Sequence, residues 1–298
     1  MRMLAIALMC VTMVCFTGQD TCAKWLSASL PIAQIVWARY VGASVVALIA
    51  SRSLSQPAMM LRSKRPRLQL LRSVLLFCST TTNVFAVREL QLSETATISF
   101  LTPVFVALLA GPVLGERVSA ERMVAVALGF LGVVIATRPG AGALQPIVLL
   151  AVAGVVCNSL YVLATRRLAG ADMPQTTLAW TQVAGLVFLT PMLPWVWKQP
   201  GSVGIWLVMA VMGVFGAASH GMLIVAHRYA PAPTLTPFTY TQLIWMIISG
   251  VVVFGQWPAP ATLLGAALVV ACGAYLAVRE RKGRHVSTAA LIDGDPKV

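Results

Sequence analysis

The chain has 298 residues, of which 58% are hydrophobic and only 10% charged, with a formal net charge of +13. A soluble domain carries about 25% charged residues, and a soluble fold of this length could not cover so much apolar surface. Composition therefore reads as an all-α polytopic membrane protein, and the basic excess does not indicate nucleic acid. Lys and Arg sit in short clusters between apolar runs, the pattern of loops on the cytoplasmic side of a membrane.

A spanning helix needs about 20 mainly apolar residues, and ten segments fit that length. The first, 3–22, begins "MRMLAIALMCVTMVC". It resembles a signal peptide without a small-residue cleavage site, so it reads as an uncleaved helix. Near its end stands Asp20, the one acid expected at membrane depth; the other eight fall in or beside loops and the tail. The second segment, 31–50, carries Arg39 about eight residues in, roughly 12 Å deep at 1.5 Å per residue. A charge there costs at least about 2–3 kcal/mol and normally faces a bundle interior or a wet cavity. The bland alternative is an arginine that snorkels outward or braces helix ends.

The third segment, 68–87, contains "STTTN" with Asn83, and the fourth, 95–114, contains Thr102 and Pro103, where a kink is expected. The fifth is 119–137 and the sixth, 145–165, holds Asn158. The seventh, 175–195, holds Trp180 and Gln182, and the eighth, 203–226, holds His220. The ninth, 234–254, holds Tyr240, Gln242 and Trp245, and the tenth is 260–278. The links are short and marked by Pro or Gly, and the tail over 280–298 is polar and expected to be disordered. The six cysteines lie almost wholly in apolar runs without a CxxC pair, which suits small packing residues rather than metal ligands. No phosphate-cradle or cofactor motif appears, and none is expected.

Seventeen Lys and Arg collect on one face: Arg2, six within 52–72, Arg117, Arg122, Arg166, Arg167, Arg228 and five from Arg279 onward. Four fall on the other, Lys24, Arg88, Arg138 and Lys198. Both termini are accordingly expected in the cytoplasm, with the chain in a bacterial-type inner membrane. The halves also resemble one another. "WARYVG" at 37–42 answers "WTQVAG" at 180–185, "GPVLGER" at 111–117 answers "VVVFGQW" at 251–257, and "LGVVIATR" at 131–138 answers "CGAYLAVR" at 272–279. Five helices per repeat is an odd number, so the second repeat runs through the membrane inverted. That is the architecture of secondary transporters, with the site near the midplane. The expected units are 1–140, 141–279 and the tail 280–298.

The stretch "LSETATISFLTPVFVALLAGPVLGERVSAERMVAVALGFLGVVIATRPG", 92–140, resembles the EamA family of the drug/metabolite transporter superfamily, and 226–279 repeats its features. "DTCAKWL" at 20–26 and "PIAQIVWARYVG" at 31–42 resemble the subgroup of riboflavin and S-adenosylmethionine uptake carriers. One departure is Gln256, which stands where the second repeat would carry a glutamate. The resemblance implies a carrier, not an enzyme, and leaves the cargo open. Riboflavin-like uptake is the narrow expectation, with amino-acid or drug export as the alternative. An intramembrane enzyme is the competing class; it would require clustered His and acids.

Candidate substrate-binding or gating residues are Arg39 with Trp37 and Tyr40, its repeat counterpart Gln182 with Trp180, and Asn83, Gln242, Tyr240 and Trp245. The two aromatics flank Gln242 and suit stacking against a flat ring. Asp20 and His220 are proton-coupling candidates, Asp20 by pairing with Arg39 and His220 by its ordinary pKa near 6.5. Each has a structural alternative, a capping Asp and a His bonded between helices. The expected partners are a small-molecule solute and the lipid bilayer, with proton coupling and a homodimer left open.

Overall fold

The computed structural model describes residues 2–51, 62–114, 120–137, 146–168, 171–172, 174–230, 235 and 238–292. Arg52, the Gly115–Glu116–Arg117 part of "LGER", Arg138 with Pro139 and Gly140, Pro231, Pro233 and residues 293–298 lie outside them. The helices are α1 (Arg2–Leu26), α2 (Ile32–Ser51), α3 (Pro66–Glu89), α4 (Leu92–Ser99), α5 (Thr102–Leu114), α6 (Ala120–Thr137), α7 (Pro146–Leu168), α8 (Pro174–Val196), α9 (Val203–Tyr229), α10 (Thr241–Phe254) and α11 (Pro260–Ile292). No strand occurs among the described residues. Six stretches are long and apolar enough to cross a bilayer: Met3–Leu26, Pro66–Glu89, Leu92–Val113, Pro146–Leu168, Thr176–Val196 and Val203–Leu223. Four shorter apolar helices stand among them, Ile32–Val46, Met123–Thr137, Thr241–Phe254 and Pro260–Tyr275.

The segment expected as one helix over 95–114 is two, broken at Phe100–Leu101. Pro103 has no N–H to offer the Ser99 carbonyl, and the Thr102 hydroxyl donates to that oxygen instead, at 2.7 Å. A similar interruption precedes α10, where Tyr240 is a turn residue. The two breaks meet: the rings of Phe100 and Tyr240 stand edge to face, with centroids 5.1 Å apart. At the other end of the chain, α11 continues helical past Arg279 to Ile292. Its residues there are mostly Arg, Lys, Glu, Ala and Leu, good helix formers, so the polar tail begins as helix.

The bundle is built inside out relative to a soluble protein. Large apolar side chains such as Trp195, Val187, Val252 and Leu264 lie on the outside, while Gln19, Gln34, Gln69, Arg72, Ser73 and Ser219 are buried. In hydrocarbon that is the favourable arrangement, since polar side chains must find partners within the protein. The principal packing pairs are α1 with α9, α3 with α7, α6 with α11, α2 with α9 and α8, α3 with α8, α1 with α10 and α5 with α7.

Close approach at these crossings depends on glycine. A Cβ on Gly42 of α2 would lie 2.6 Å from the Gly213 Cα of α9, so the two backbones cross without an intervening side chain. Gly132 of α6 and Gly265 of α11 do the same, and a Cβ on either would collide with the partner's carbonyl oxygen. Both are backbone contacts that cannot swing aside. Replacing Gly213 by Leu is therefore expected to destabilise the protein by at least about 1–3 kcal/mol, measured as a lowered midpoint of thermal unfolding in detergent. Gly201, with open space around its Cβ position, should tolerate Ala with no measurable change.

Candidate functional site

Between α1, α2 and α3 on one side and α4, α5, α7, α8, α9 and α10 on the other lies a cavity of about 360 Å³. Each helix lines it with one face at helical spacing. α1 contributes Phe16, Gln19 and Asp20, and α2 contributes Arg39, Tyr40 and Ala43. α3 supplies Ser79, Thr80 and Asn83, and α7 supplies Gly154, Asn158 and Tyr161. Thr102, Thr181, Gln182, His220 and Gln242 complete a wall rich in amides and hydroxyls. Such groups can hold a polar solute through hydrogen bonds at little desolvation penalty, because they are already exposed to the cavity.

Asp20 is the hub of the end nearer Lys24. The Arg39 guanidinium Nη1 stands 3.6 Å from the Asp20 carboxylate, and the Asn83 amide donates to the same oxygen at 3.0 Å. Three helices, α1, α2 and α3, thus converge on one carboxylate. The pairing explains how Arg39 sits at this depth, because each charge offsets the other in a medium where either alone would be strongly unfavourable. Arg39 Nη1 nonetheless has no hydrogen-bond acceptor. His220 lines the same cavity and meets the Phe16 ring edge to face at 5.2 Å.

At the opposite end a second guanidinium is buried. Arg72 of α3 is 2% exposed. Its Nε donates to Thr165 at 2.8 Å, and its Nη1 donates to Gln69 Oε1 at 3.1 Å and the Thr177 carbonyl at 3.0 Å. Its Nη2 donates to the Tyr161 hydroxyl at 3.1 Å and to Thr181 Oγ1 at 2.7 Å. The guanidinium also lies over the Tyr161 ring, 4.9 Å from its centroid. Gln69 in turn donates to Asp172 at 2.9 Å, which accepts from the Ser63 hydroxyl and from the Lys64 N–H at 2.8 Å. The Ser63 bond leads the interactions that hold this loop carboxyl below its usual range, so it remains ionised at neutral pH. A continuous chain of hydrogen bonds therefore ties the α7–α8 connection to α3 and ends at the cavity wall.

Of the residues singled out in the sequence, Asp20, Arg39, Tyr40, Asn83, Gln182, His220 and Gln242 line this one cavity. Trp37, Trp180, Tyr240 and Trp245 are not among the lining residues. Trp37 donates to Thr190 at 3.2 Å and stacks edge to face with Trp197 at 6.0 Å. Tyr240 lies against Phe100 at the helix breaks, and Trp245 is 37% exposed on the outside of the bundle. The expected ring-stacking pair around Gln242 is thus not formed: Tyr240 precedes the helix that starts at Thr241, and Trp245, one turn beyond Gln242, is not among the lining residues. Lys24, expected at the end of the first helix on the outer side, is buried instead. Its ammonium donates to the Val87 and Leu90 carbonyls at 2.7 and 2.6 Å, capping the C-terminus of α3. Gln19 and Arg72 escaped the sequence reading. Arg72 was counted with the basic loop cluster at 52–72, although Gln69 three residues earlier marks the same face of a helix.

Comparison with known proteins places this architecture. The EamA-like transporter family matches twice, over residues 3–138 and 145–279. An "S-adenosylmethionine uptake transporter" of Rickettsia conorii is 22% identical over 275 residues, covering 92% of each chain. A "Riboflavin transporter" of Vibrio cholerae is 30% identical over 186 residues, 61% of each chain. A "Riboflavin transporter" of Rhizobium johnstonii is 27% identical, covering 90% of this chain and 89% of that one. A solved crystal structure with 19% sequence identity superposes with a TM-score of 0.64, covering 93% of this chain and 98% of its own, which is a likeness of fold.

If the Asp20–Arg39 pair holds the outer part of the wall together, Asp20→Ala strands a buried cation and should cost about 3–5 kcal/mol. The double variant Asp20→Ala with Arg39→Leu should regain most of that loss. A double-mutant cycle by thermal unfolding in detergent reads the coupling; additive losses would mean that the two charges act independently.

Proposed function

The chain belongs to the EamA-like transporter family, and from that premise we propose that it is a secondary transporter carrying a small polar solute across the bacterial inner membrane by alternating access. The carrying observation is the polar cavity with a paired charge at its wall, enclosed by a bundle whose outside is apolar. A wet, hydrogen-bonding chamber inside a membrane protein has to be shielded from lipid, and a carrier uses such a chamber to exchange a solute's hydration shell for protein groups.

Ten spans in two inverted halves, 1–140 and 141–279, fit this reading. The family matches each half separately. The principal packing pairs are also their own image when α1, α2, α3, α4 with α5, and α6 exchange with α7, α8, α9, α10 and α11: α1–α9 becomes α7–α3, and α2–α9 becomes α8–α3. The halves would then rock against one another about pairs that map onto themselves, α2–α8, α6–α11 and α4–α10. The distribution of Lys and Arg orients the Asp172 end and both termini toward the cytoplasm. In this reading Arg39, Tyr40, Asn83, Gln182 and Gln242 contact the solute or gate it, while Asp20 exchanges a proton as its partner Arg39 engages the solute.

For cargo, a riboflavin-like solute taken up into the cell is the narrow choice. It rests on relatives of low identity named for riboflavin, and on a wall of amides, hydroxyls and Tyr40 suited to a flat heteroaromatic ring with a polar chain. The test is growth of a bacterium that can neither make nor import riboflavin, expressing wild type or Arg39→Gln. Rescue by the wild type and loss of at least tenfold in uptake by the variant are expected. Failure of the wild type, with the protein in the membrane, would rule out riboflavin uptake and favour export of amino acids or drugs.

A further inference from the structure

The charged pair on the cavity wall, Asp20 and Arg39, is balanced, but a further positive charge of an unusual kind lies behind the wall: Arg72, not itself a lining residue. Arg72 makes five donor bonds, and all five acceptors are neutral: two threonine hydroxyls, a tyrosine hydroxyl, an amide oxygen and a backbone carbonyl. The ion pairs among the described residues are Asp20–Arg39 and Arg88–Glu89, so no carboxylate offsets Arg72 directly. Asp172 reaches it only through Gln69. Burying a guanidinium without a counter-ion is unfavourable, and here only neutral acceptors offset that penalty.

The hydrogen-bond count shows where this charge is felt. Arginine can only donate, so the Tyr161 oxygen and the Thr181 oxygen both accept from it. Thr181 passes its own proton to the Thr177 carbonyl at 2.7 Å. Tyr161 has one proton left to give, and no acceptor for it appears among the described residues. Tyr161 lines the cavity. Its hydroxyl is therefore a donor turned toward the chamber and strengthened by the cation behind it. At the far end Arg39 Nη1, on another lining residue, likewise has no acceptor. On the wall itself Asp20 is engaged by Arg39 and Asn83, so the charge left uncompensated is Arg72, one hydrogen bond behind Tyr161 and Thr181. Lys24 and Glu94 are not among the lining residues, and His220 adds no negative charge in either protonation state.

We propose that Arg72, acting through the Tyr161 hydroxyl, sets the charge selectivity of this cavity: the solute presents an acceptor-rich edge, such as a carboxylate or the dione edge of a heteroaromatic ring, and is never a permanent cation. Arg72 is a positioning residue here, because Tyr161 rather than Arg72 meets the solute. The proposal rests on the transporter reading and narrows its cargo. It separates the two solutes after which the relatives are named, since riboflavin is uncharged with a carbonyl-bearing ring edge, whereas S-adenosylmethionine carries a fixed sulfonium charge.

The test is equilibrium binding to the purified protein in lipid nanodiscs. The probes are riboflavin, riboflavin 5′-phosphate, S-adenosylmethionine and the matched set indole-3-acetate, indole-3-acetamide and tryptamine. Wild type is compared with Arg72→Gln, Arg72→Lys and Tyr161→Phe. Neutral or anionic probes are expected to bind the wild type, and S-adenosylmethionine and tryptamine are not. Arg72→Gln should narrow the anion-to-cation preference at least tenfold, Arg72→Lys should retain most of it, and Tyr161→Phe should weaken the acceptor-bearing probes about tenfold while leaving four of the five Arg72 bonds in place. Tight binding of either cation by wild type, no binding of any neutral or anionic probe, or an unchanged preference in both Arg72→Gln and Tyr161→Phe would overturn the proposal. Counterflow of bound probes in liposomes tests the transporter reading separately, because a probe can bind with the predicted preference and yet not move.

Discussion

A charge within a bilayer must be answered by another charge or by water, and the organisation of this protein around Arg39 follows from that requirement. The answering group is Asp20, brought from α1 to within 3.6 Å by the crossing of α1, α2 and α3, with Asn83 fixing the same carboxylate oxygen. For these helices to converge, the backbones must approach closely, and glycines at Gly42 and Gly213 permit the neighbouring crossing of α2 with α9. The pair leaves Arg39 Nη1 without a hydrogen-bond acceptor. Unsatisfied polar groups at a lipid-shielded depth call for a polar chamber beside them, and the cavity is that chamber.

The two ends of the bundle are closed by different chemistry. Near Lys24, an ammonium caps the carbonyls that end α3, and Gln34 clamps the backbone of Lys198 through both amide atoms at 3.0 Å. Near Asp172, the closure is a hydrogen-bond chain from Ser63 through Asp172 and Gln69 to Arg72. The first relies on side chains bonded to backbone. The second mixes side-chain partners with backbone ones, the Lys64 N–H and the Thr177 carbonyl. The Asp172 end is where the network reaches the cavity wall, through Tyr161 and Thr181.

Much of this was legible in the sequence because membrane helices obey a length rule and a polarity rule. Arg39 and Asp20 stood out as charges in apolar runs, and Asn83, Gln182, Gln242 and His220 as polar groups at helical depth; all six line one cavity. Arg72 and Lys24 were misplaced for a common reason. Each lies within two turns of a helix end, where hydropathy reads an interfacial charge, and only the packing of α3 against α7 and α8, or of α1 against α3, covers them. Of the aromatic candidates, Tyr40 lines the cavity, and Trp37, Trp180, Tyr240 and Trp245 do not. Near the break at Tyr240 the helix phase is reset, so spacing along the chain does not predict where Tyr240 lies relative to Gln242. The break in the fourth span was anticipated as a kink at Pro103, and its completion by the Thr102 hydroxyl required coordinates.

The central claim, that the cavity is a solute chamber open to one side of the membrane at a time, has a direct test. Asn158 lies in the wall on α7, away from both charged ends. In a variant lacking the six native cysteines, Asn158→Cys would be labelled with a membrane-impermeant thiol reagent in right-side-out and in inverted vesicles. The account predicts reaction chiefly from one face, and protection by a transported solute. Equal labelling from both faces would indicate a continuous pore, and no labelling from either would indicate a closed interior; each result contradicts the account.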